Sequence, residues 1–234
     1  MKMRDSLHLG NLVIACDNSG AVGIKSDDIV YAPNTITAYY SFRVAVMECM
    51  ADGGVPEAVI MQNFSGEEAW SEYCDGILMG TRELGINPLQ ITGSSESNFP
   101  LKQSGLGLTV LGRRNDIHNN NLATNHFAVI GMPLVGSEVL TKPIDILPLS
   151  LFKRLIVDRF DVYPVGSKGI LHKLKQLTHN STLSAEKVKC SLDVNKSAGP
   201  ATCAVVAFDK CSGEKLKELA GHLFHHVDIA NDHN

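Results

Sequence analysis

The stretch ECMADGGVPEAVI, residues 48 to 60, is where the chain changes from one periodicity to another. Across residues 41–51, which run into it, Phe42, Val46, Met47 and Met50 recur at the three- and four-residue spacing of a helix face. Asp52, Gly53, Gly54 and Pro56 then stop that helix, because glycine adopts the terminating conformation without strain and proline cannot continue the ladder. Downstream, residues 58–62 form an apolar run short enough for a buried strand. Helix, glycine break and buried strand in succession make a building unit of layered α/β architecture.

The same alternation continues on both sides. Before the helix, residues 11–16 read as a first strand, followed by DNSGAVGIKSDD, a loop with Asp17 at the strand end and the acidic pair Asp27 and Asp28, and by a short strand IVYA. After it, residues 66–84 are the strongest helix of the chain. Ala69, Tyr73, Ile77 and Leu84 lie on one stripe that Trp70 and Leu78 widen, while Glu67, Glu68, Glu72 and Arg82 point away. Gly85 follows as the C′ residue. A strand over residues 88–92 runs into QITGSSESNFP, and residues 105–111 are a strand continuous enough to be buried on both faces.

The polar connection RRNDIHNNNLATN, residues 113–125, marks a long turn or interdomain link, and the expected domains are residues 1–124 and 125–234. The second half reads as a strand at 126–132, a helix at 148–160, a turn PVGSKG opening a helix to Leu177, strands near 188–192 and 201–208, and a last helix at 212–224. The chain is therefore α/β or α+β, with its polar signals at strand-to-loop junctions, where open α/β sheets commonly place binding sites.

Composition narrows the function classes. With 44% apolar and 20% charged residues the 234-residue chain buries a sizeable core and is not a disordered protein. A formal net charge of −4 offers no electrostatic reason to expect nucleic acid or an anionic membrane. Asp5, His8 and Asn11 interrupt the N-terminal apolar run, and no stretch approaches the roughly 18 apolar residues of a membrane span, so a cytoplasmic protein is expected. Cysteines 16, 49, 74, 190, 203 and 211 contain no C-x-x-C pair and read as reduced, packed thiols. His222, His225 and His226 lack neighbouring ligands at metal spacing and read as a solvated helix end.

Three groups of carboxylates remain as chemistry: Asp17 with Asp27 and Asp28, Glu48 with Asp52, and Glu96. Mg²⁺ needs oxygen ligands and takes one or two carboxylates while phosphates and waters fill the rest. Each acid also has a plain reading as a solvated turn or cap residue. Glu48 sits between Met47 and Cys49 near a helix C-terminus, where the helix dipole opposes it; either it faces water or a cation compensates it. QITGSSESNFP is either a surface loop or a binding loop. Gly166, Ser167, Lys168 and Gly169 at a helix start suit an anion, or else an N-cap with Ser167 as the capping hydroxyl. The Walker spacing, the dinucleotide glycine fingerprint and the G-x-S-x-G elbow are all missing.

The order of these signals, with ECMADGGVPEAVI, WSEYCDGILMGTRELGI, QITGSSESN and GLGLTVLGR, resembles the N-terminal domain of the PurM-like superfamily, related to aminoimidazole ribonucleotide synthetase, over about residues 10 to 114. That resemblance implies a PurM-like N-terminal domain of sheet and packed helices, followed by a smaller, divergent α+β C-terminal domain. Against the family's acidic loop, Asp17 and Asn18 stand at the first position; Glu48 stands for the helix aspartate; TGSS with Glu96 stands for the G-G-D-T turn, Ser94 replacing its aspartate. Asn34 lies near a further usual aspartate, and Ser167, Lys168, Gly169 and Ile170 replace S-D-G-L.

What the resemblance implies is ATP-dependent phosphoryl transfer with Mg²⁺, similar to the α-ribazole kinase branch of cobamide salvage, in a homodimer whose second subunit completes the site for a small-molecule substrate. Asp17, Glu48 and Glu96 would be metal-directed. Asn18, Gly93, Ser94, Ser95, Asn98, Ser167 and Gly169 would contact the nucleotide, with Glu96 and Lys168 in catalytic roles. The alternatives are a thiamine-monophosphate kinase-like or amidine-forming enzyme, and a non-catalytic nucleotide-binding or assembly protein.

Overall fold

The computed structural model describes residues 5–114 and 126–230. These fall into two compact units, the first ending and the second beginning in the span between them.

The N-terminal unit is a sheet with two helices on one face. Its strands and helices in chain order are β1 (Ser6–Leu9), β2 (Leu12–Gly20), β3 (Val22–Gly23), β4 (Val30–Tyr31), α1 (Asn34–Ala51), β5 (Val55–Asn63), α2 (Ala69–Leu84), β6 (Gln90–Ser95) and β7 (Gly105–Arg113). The main sheet runs β1-β2-β7-β5-β6, and β3 and β4 form a small parallel pair of their own. Strands β5 and β6 are parallel, joined through α2, whereas β7 lies antiparallel to both β2 and β5. Hence β2, β5 and β6 all end at the same edge of the sheet, where β7 begins.

Register sorts the side chains. Val13, Ala15, Leu106, Leu108, Val110, Val59 and Met61 are buried under α1 and α2. The opposite face carries Ile14, Cys16, Asn18, Thr109, Leu111, Ile60, Gln62 and Ser94, all half-buried or exposed. Strand β7 therefore alternates and is not buried on both faces as its apolar run suggests; glycine and threonine at 105, 107 and 109 fill the open face.

Helix α1 begins seven residues earlier than its apolar spacing indicates. TITAYY, residues 35–40, is rich in β-branched and aromatic side chains with low helix propensity. Packing decides otherwise: Thr37 and Ala38 are buried, and Gly76 of α2 comes so close that a Cβ there would stand 2.2 Å from the Thr35 carbonyl oxygen. The stripe of α2 is as expected, with Ala69, Tyr73, Ile77 and Leu84 buried and Gly85 left-handed at φ +58°.

The C-terminal unit is a five-stranded antiparallel sheet with helices on both faces. In order it contains β8 (His126–Ile130), α3 (Glu138–Thr141), α4 (Leu149–Val157), β9 (Asp161–Pro164), α5 (Gly169–Leu177), β10 (Val188–Lys189), β11 (Ala204–Phe208), α6 (Gly213–Ala220) and β12 (Phe224–Ile229), arranged β10-β12-β8-β11-β9. Val129, Val205, Ala207 and Val227 face Ile170 and Leu174 of α5, while α4 and α6 meet the other side. The last expected helix is shorter than its pattern suggests. Residues 224–229 leave it as an antiparallel strand against β8 and β10, so His225 and His226 lie on a strand and not on a solvated helix end.

Candidate functional site

Polar side chains gather at the common carboxyl end of β2, β5 and β6. The first half of QITGSSESNFP is strand β6 itself; only Glu96 onward is loop. Ser95 pairs in register with Asn63 at the end of β5, and the Glu96 amide donates to the Asn63 carbonyl at 2.7 Å. One Glu96 carboxylate oxygen accepts from the Asn98 amide at 2.7 Å and the Phe99 amide at 3.3 Å, pinning the turn.

Beneath this turn is a buried network that sequence reasoning missed. The Asn63 side chain accepts from the Ser65 amide at 2.9 Å and donates to the Gly66 carbonyl at 2.7 Å and to Ser95 Oγ at 2.9 Å. Ser65 Oγ meets the Tyr73 hydroxyl of α2 and receives the Gly105 amide at 3.0 Å. The signal was in NFSGEE, residues 63–68, a polar run after an apolar strand like the one after β6.

A second set of bonds ties the neighbouring loops. Asp28 accepts from the Ser104 amide and hydroxyl, both at 2.7 Å, and from the Lys25 amide at 2.9 Å; Lys25 Nζ reaches the Leu101 carbonyl at 2.9 Å. Burial opposes the Asp28 charge, but these donors outweigh it and hold the carboxyl below its ordinary range. Asp28 is thereby occupied as a loop tie.

The remaining expected residues divide by face and by end. Asp17 lies within β2, which continues to Gly20 instead of stopping at Cys16, and it points to the helix side. Burial pushes its carboxyl up to about 7, against the Asn18 amide and the Ser41 hydroxyl, which favour the charge. Asn18 and Ser94 face the opposite way and share one row across the sheet with Gly107 and Gln62. Gly93 has a steric reason to be glycine, since a Cβ would stand 1.8 Å from the Met61 carbonyl oxygen.

Glu48 is buried near the far end of α1. Because α1 runs antiparallel to β2, its neighbour Cys49 and Val13 both crowd Gly54, six strand residues from the row of Ser19, Asn63 and Ser95. That is about 20 Å from the Glu96 turn. Asp17 is three strands, about 14 Å, from Gly93 in its own row. The expected convergence of Asp17, Glu48 and Glu96 is thus not met within one copy of the chain.

Nor does any group of three or more His, Cys, Asp or Glu among the described residues suit a metal ion. The donor set does not make a protein cage for Mg²⁺. Around Glu48 the far end instead ties Asp52 to Ser6 and His8, with Arg114 Nη1 3.3 Å from His8 Nδ1.

In the C-terminal unit Gly166, Ser167 and Lys168 are exposed before α5. The N-cap is Lys168, with no side-chain capping bond, so Ser167 is not the cap. Gly169 is left-handed at φ +78°, and a Cβ there would come within 2.9 Å of the carbonyl oxygens of Val194, Asn195 and Lys196.

Comparison with solved structures fits this architecture. The chain superposes on the structure of a HypE-HypF complex with TM-score 0.65 at 13% identity, covering 97% of this chain and 88% of that one. The chain has the PurM-like fold. Thiamine monophosphate kinase from Aquifex aeolicus gives TM-score 0.61 at 12% identity, with 98% of this chain and 89% of that one covered. PurL of T. maritima, complexed with AMPPCP, gives 0.60 at 11% identity; 96% of this chain matches 42% of that one. No family model and no curated protein matches the sequence. Among the described residues no helix is long and apolar enough to cross a membrane.

Proposed function

We propose that the chain is a cytoplasmic ATP-dependent phosphotransferase that acts on a small nucleoside-like metabolite, with α-ribazole the first acceptor to test. The observation that carries this reading is the gathering of Ser94, Ser95, Glu96, Asn98 and Asn63 at the end of the sheet toward which α1 and α2 direct their amino termini. Helix amino termini favour anions, and hydroxyl and amide donors suit phosphoryl oxygens. Supporting it, proteins of the same fold have been solved with ATP, AMPPCP and ADP, and one is a thiamine monophosphate kinase.

Phosphoryl transfer asks chiefly for positioning and charge neutralisation. In this reading Ser94, Ser95 and Asn18 hold the nucleotide and Glu96 orients the acceptor hydroxyl, while the exposed Ser167 and Lys168 of the C-terminal unit offer a phosphate contact of their own; Gly169, buried among carbonyl oxygens, shapes that turn and does not contact the ligand. Mg²⁺, where bound, would be held mainly by the nucleotide's phosphates, with Glu96 the carboxylate at this end of the sheet that could join them, and would neutralise phosphoryl charge. A homodimer is part of the proposal: the open sheet face of Leu7, Leu9, Ile14, Leu111 and Ile60 is apolar enough to receive a second copy.

The test is ADP formation from ATP over a panel of acceptors containing α-ribazole, thiamine monophosphate and other nucleosides, with and without Mg²⁺. Acceptor-dependent ADP supports a kinase, and the acceptor separates it from a thiamine-monophosphate kinase-like or amidine-forming enzyme. The scattering of Asp17, Glu48 and Glu96 favours a second reading, a nucleotide-binding assembly protein without turnover. Nucleotide binding with no ADP across the panel would favour that second reading.

A further inference from the structure

The network under the β6 turn fixes the direction of each of its hydrogen bonds, and that direction reaches the surface at Ser95. The Ser65 amide can only donate, so the Asn63 atom 2.9 Å away is its carbonyl oxygen. The other end of the Asn63 side chain is therefore the NH₂ group. The Gly66 carbonyl, 2.7 Å from it, can only accept, which agrees. One NH₂ hydrogen goes to Gly66 and the other to Ser95 Oγ at 2.9 Å. Ser95 Oγ thus accepts from below, and its own hydroxyl hydrogen is left to donate elsewhere. Asn63 is fully buried, whereas Ser95 is half-exposed at the end of its strand, so that hydrogen is directed to whatever occupies the carboxyl end of the sheet.

We propose that Asn63 is a positioning residue that holds the Ser95 hydroxyl as a hydrogen-bond donor toward an anionic phosphoryl oxygen, a ligand atom that only accepts. The inference rests on the nucleotide reading above and adds to it the residue that sets the polarity of the contact. An aspartate at position 63 would still accept from the Ser65 amide, but its second oxygen would draw the Ser95 hydroxyl inward and reverse that polarity. Backbone pairing of Glu96 to the Asn63 carbonyl does not use the side chain, whereas the Gly66 carbonyl loses its donor in this variant, so the folded state of Asn63→Asp is checked by its melting temperature before titration.

The experiment is titration calorimetry of AMPPCP and of inorganic triphosphate into the full chain and into Ser95→Ala, Ser95→Thr, Asn63→Asp and the Asn63→Asp/Ser95→Ala double variant. A hydrogen bond to a charged group supports an effect of about tenfold. Ser95→Ala and Asn63→Asp should each weaken AMPPCP by about that factor, Ser95→Thr should recover most of it, and the double variant should bind no more weakly than Ser95→Ala. Equal affinity of wild type and Ser95→Ala overturns the proposal while leaving the nucleotide reading standing, and because Ser95 is half-exposed that variant folds even if Asn63→Asp does not. Additive losses in the double variant overturn it too, as they would show only the effect of an added charge. Wild type that binds neither probe overturns both the proposal and the nucleotide reading; wild type that binds triphosphate in a Ser95-dependent way but not AMPPCP supports the donor and removes the nucleotide.

Discussion

The two ends of the N-terminal sheet both gather polar side chains, but they use them differently. At the amino end of β2, Asp52 is tied to Ser6 and His8, and the nearby Glu48 is buried under the sheet. At the carboxyl end, Asn63, Ser65 and Asp28 are satisfied from within, and Asn63 in turn holds Ser95 and Glu96 at the surface. The first arrangement closes a helix terminus. The second spends its buried hydrogen bonds on presenting exposed ones, which is what a binding edge requires.

The largest effect expected at the carboxyl end is steric. Gly93→Ala places a methyl group against the Met61 carbonyl oxygen, 1.8 Å away before relaxation, within a paired strand. A loss of about 4 kcal/mol or more is expected, read as a failure to accumulate folded protein or a collapse of the urea midpoint. Near-normal stability would contradict the close approach of β6 to β5 at Gly93.

The next effect compares the two ends directly. Glu96→Gln keeps an acceptor for the Asn98 and Phe99 amides, so the turn and the melting temperature should persist while ATP turnover falls by about tenfold or more. Glu48→Gln, at the other end, should leave ATP turnover within about twofold. A loss at Glu48 as large as at Glu96 would put the Glu48 of a second copy beside the triphosphate.

Two aspartates then give opposite pH signatures. The Asp17 carboxyl is raised from an ordinary value of 3.8 to about 7, so the unfolded state releases its proton first. Its contribution to stability is complete below about pH 4 and is lost as pH rises toward 7. Asp17→Asn should remove that slope and leave the protein about 1–3 kcal/mol more stable than wild type at pH 8, measured by urea unfolding. Asp28 is lowered, so its contribution is present above the ordinary carboxylate value and is lost as the pH falls below it, through the lowered folded-state value. Asp28→Ala should cost about 1–2 kcal/mol at pH 7 and less as the pH falls below the ordinary carboxylate value. The smallest effect belongs to Lys168→Ala, an exposed change expected to weaken ATP a few-fold without altering stability.

Much of the N-terminal unit was legible because its elements carry strong periodicity and clear stops: the stripe Ala69, Tyr73, Ile77 and Leu84 with Gly85 behind it, and the Gly53-Gly54 break between α1 and β5. Residues 35–40 were not, since TITAYY has strand-like propensity and becomes helical only through its packing on α2. Residues 224–229 were missed for a related reason, as FHHVDI gains strand character only from its pairing with β8.

For the site, the polarity of QITGSSESN was visible, but its geometry was not. Which face Asp17 or Asn18 takes depends on a one-residue alternation along β2, and the separation of Glu48 from Glu96 depends on the direction of α1 relative to the strands. Neither is written in the spacing of acids along the chain. Asn63 escaped notice because a single amide at a strand end has no motif; its meaning comes from the three partners that the fold supplies.

The central claim is that a triphosphate sits at the carboxyl end of β2, β5 and β6. Hydrogen exchange read by mass spectrometry, with and without saturating AMPPCP, tests it most directly. Slowed exchange at peptides spanning residues 63–66 and 94–99, with none at residues 48–54, is the predicted result. Slowed exchange at residues 48–54 with none at 94–99 would contradict it.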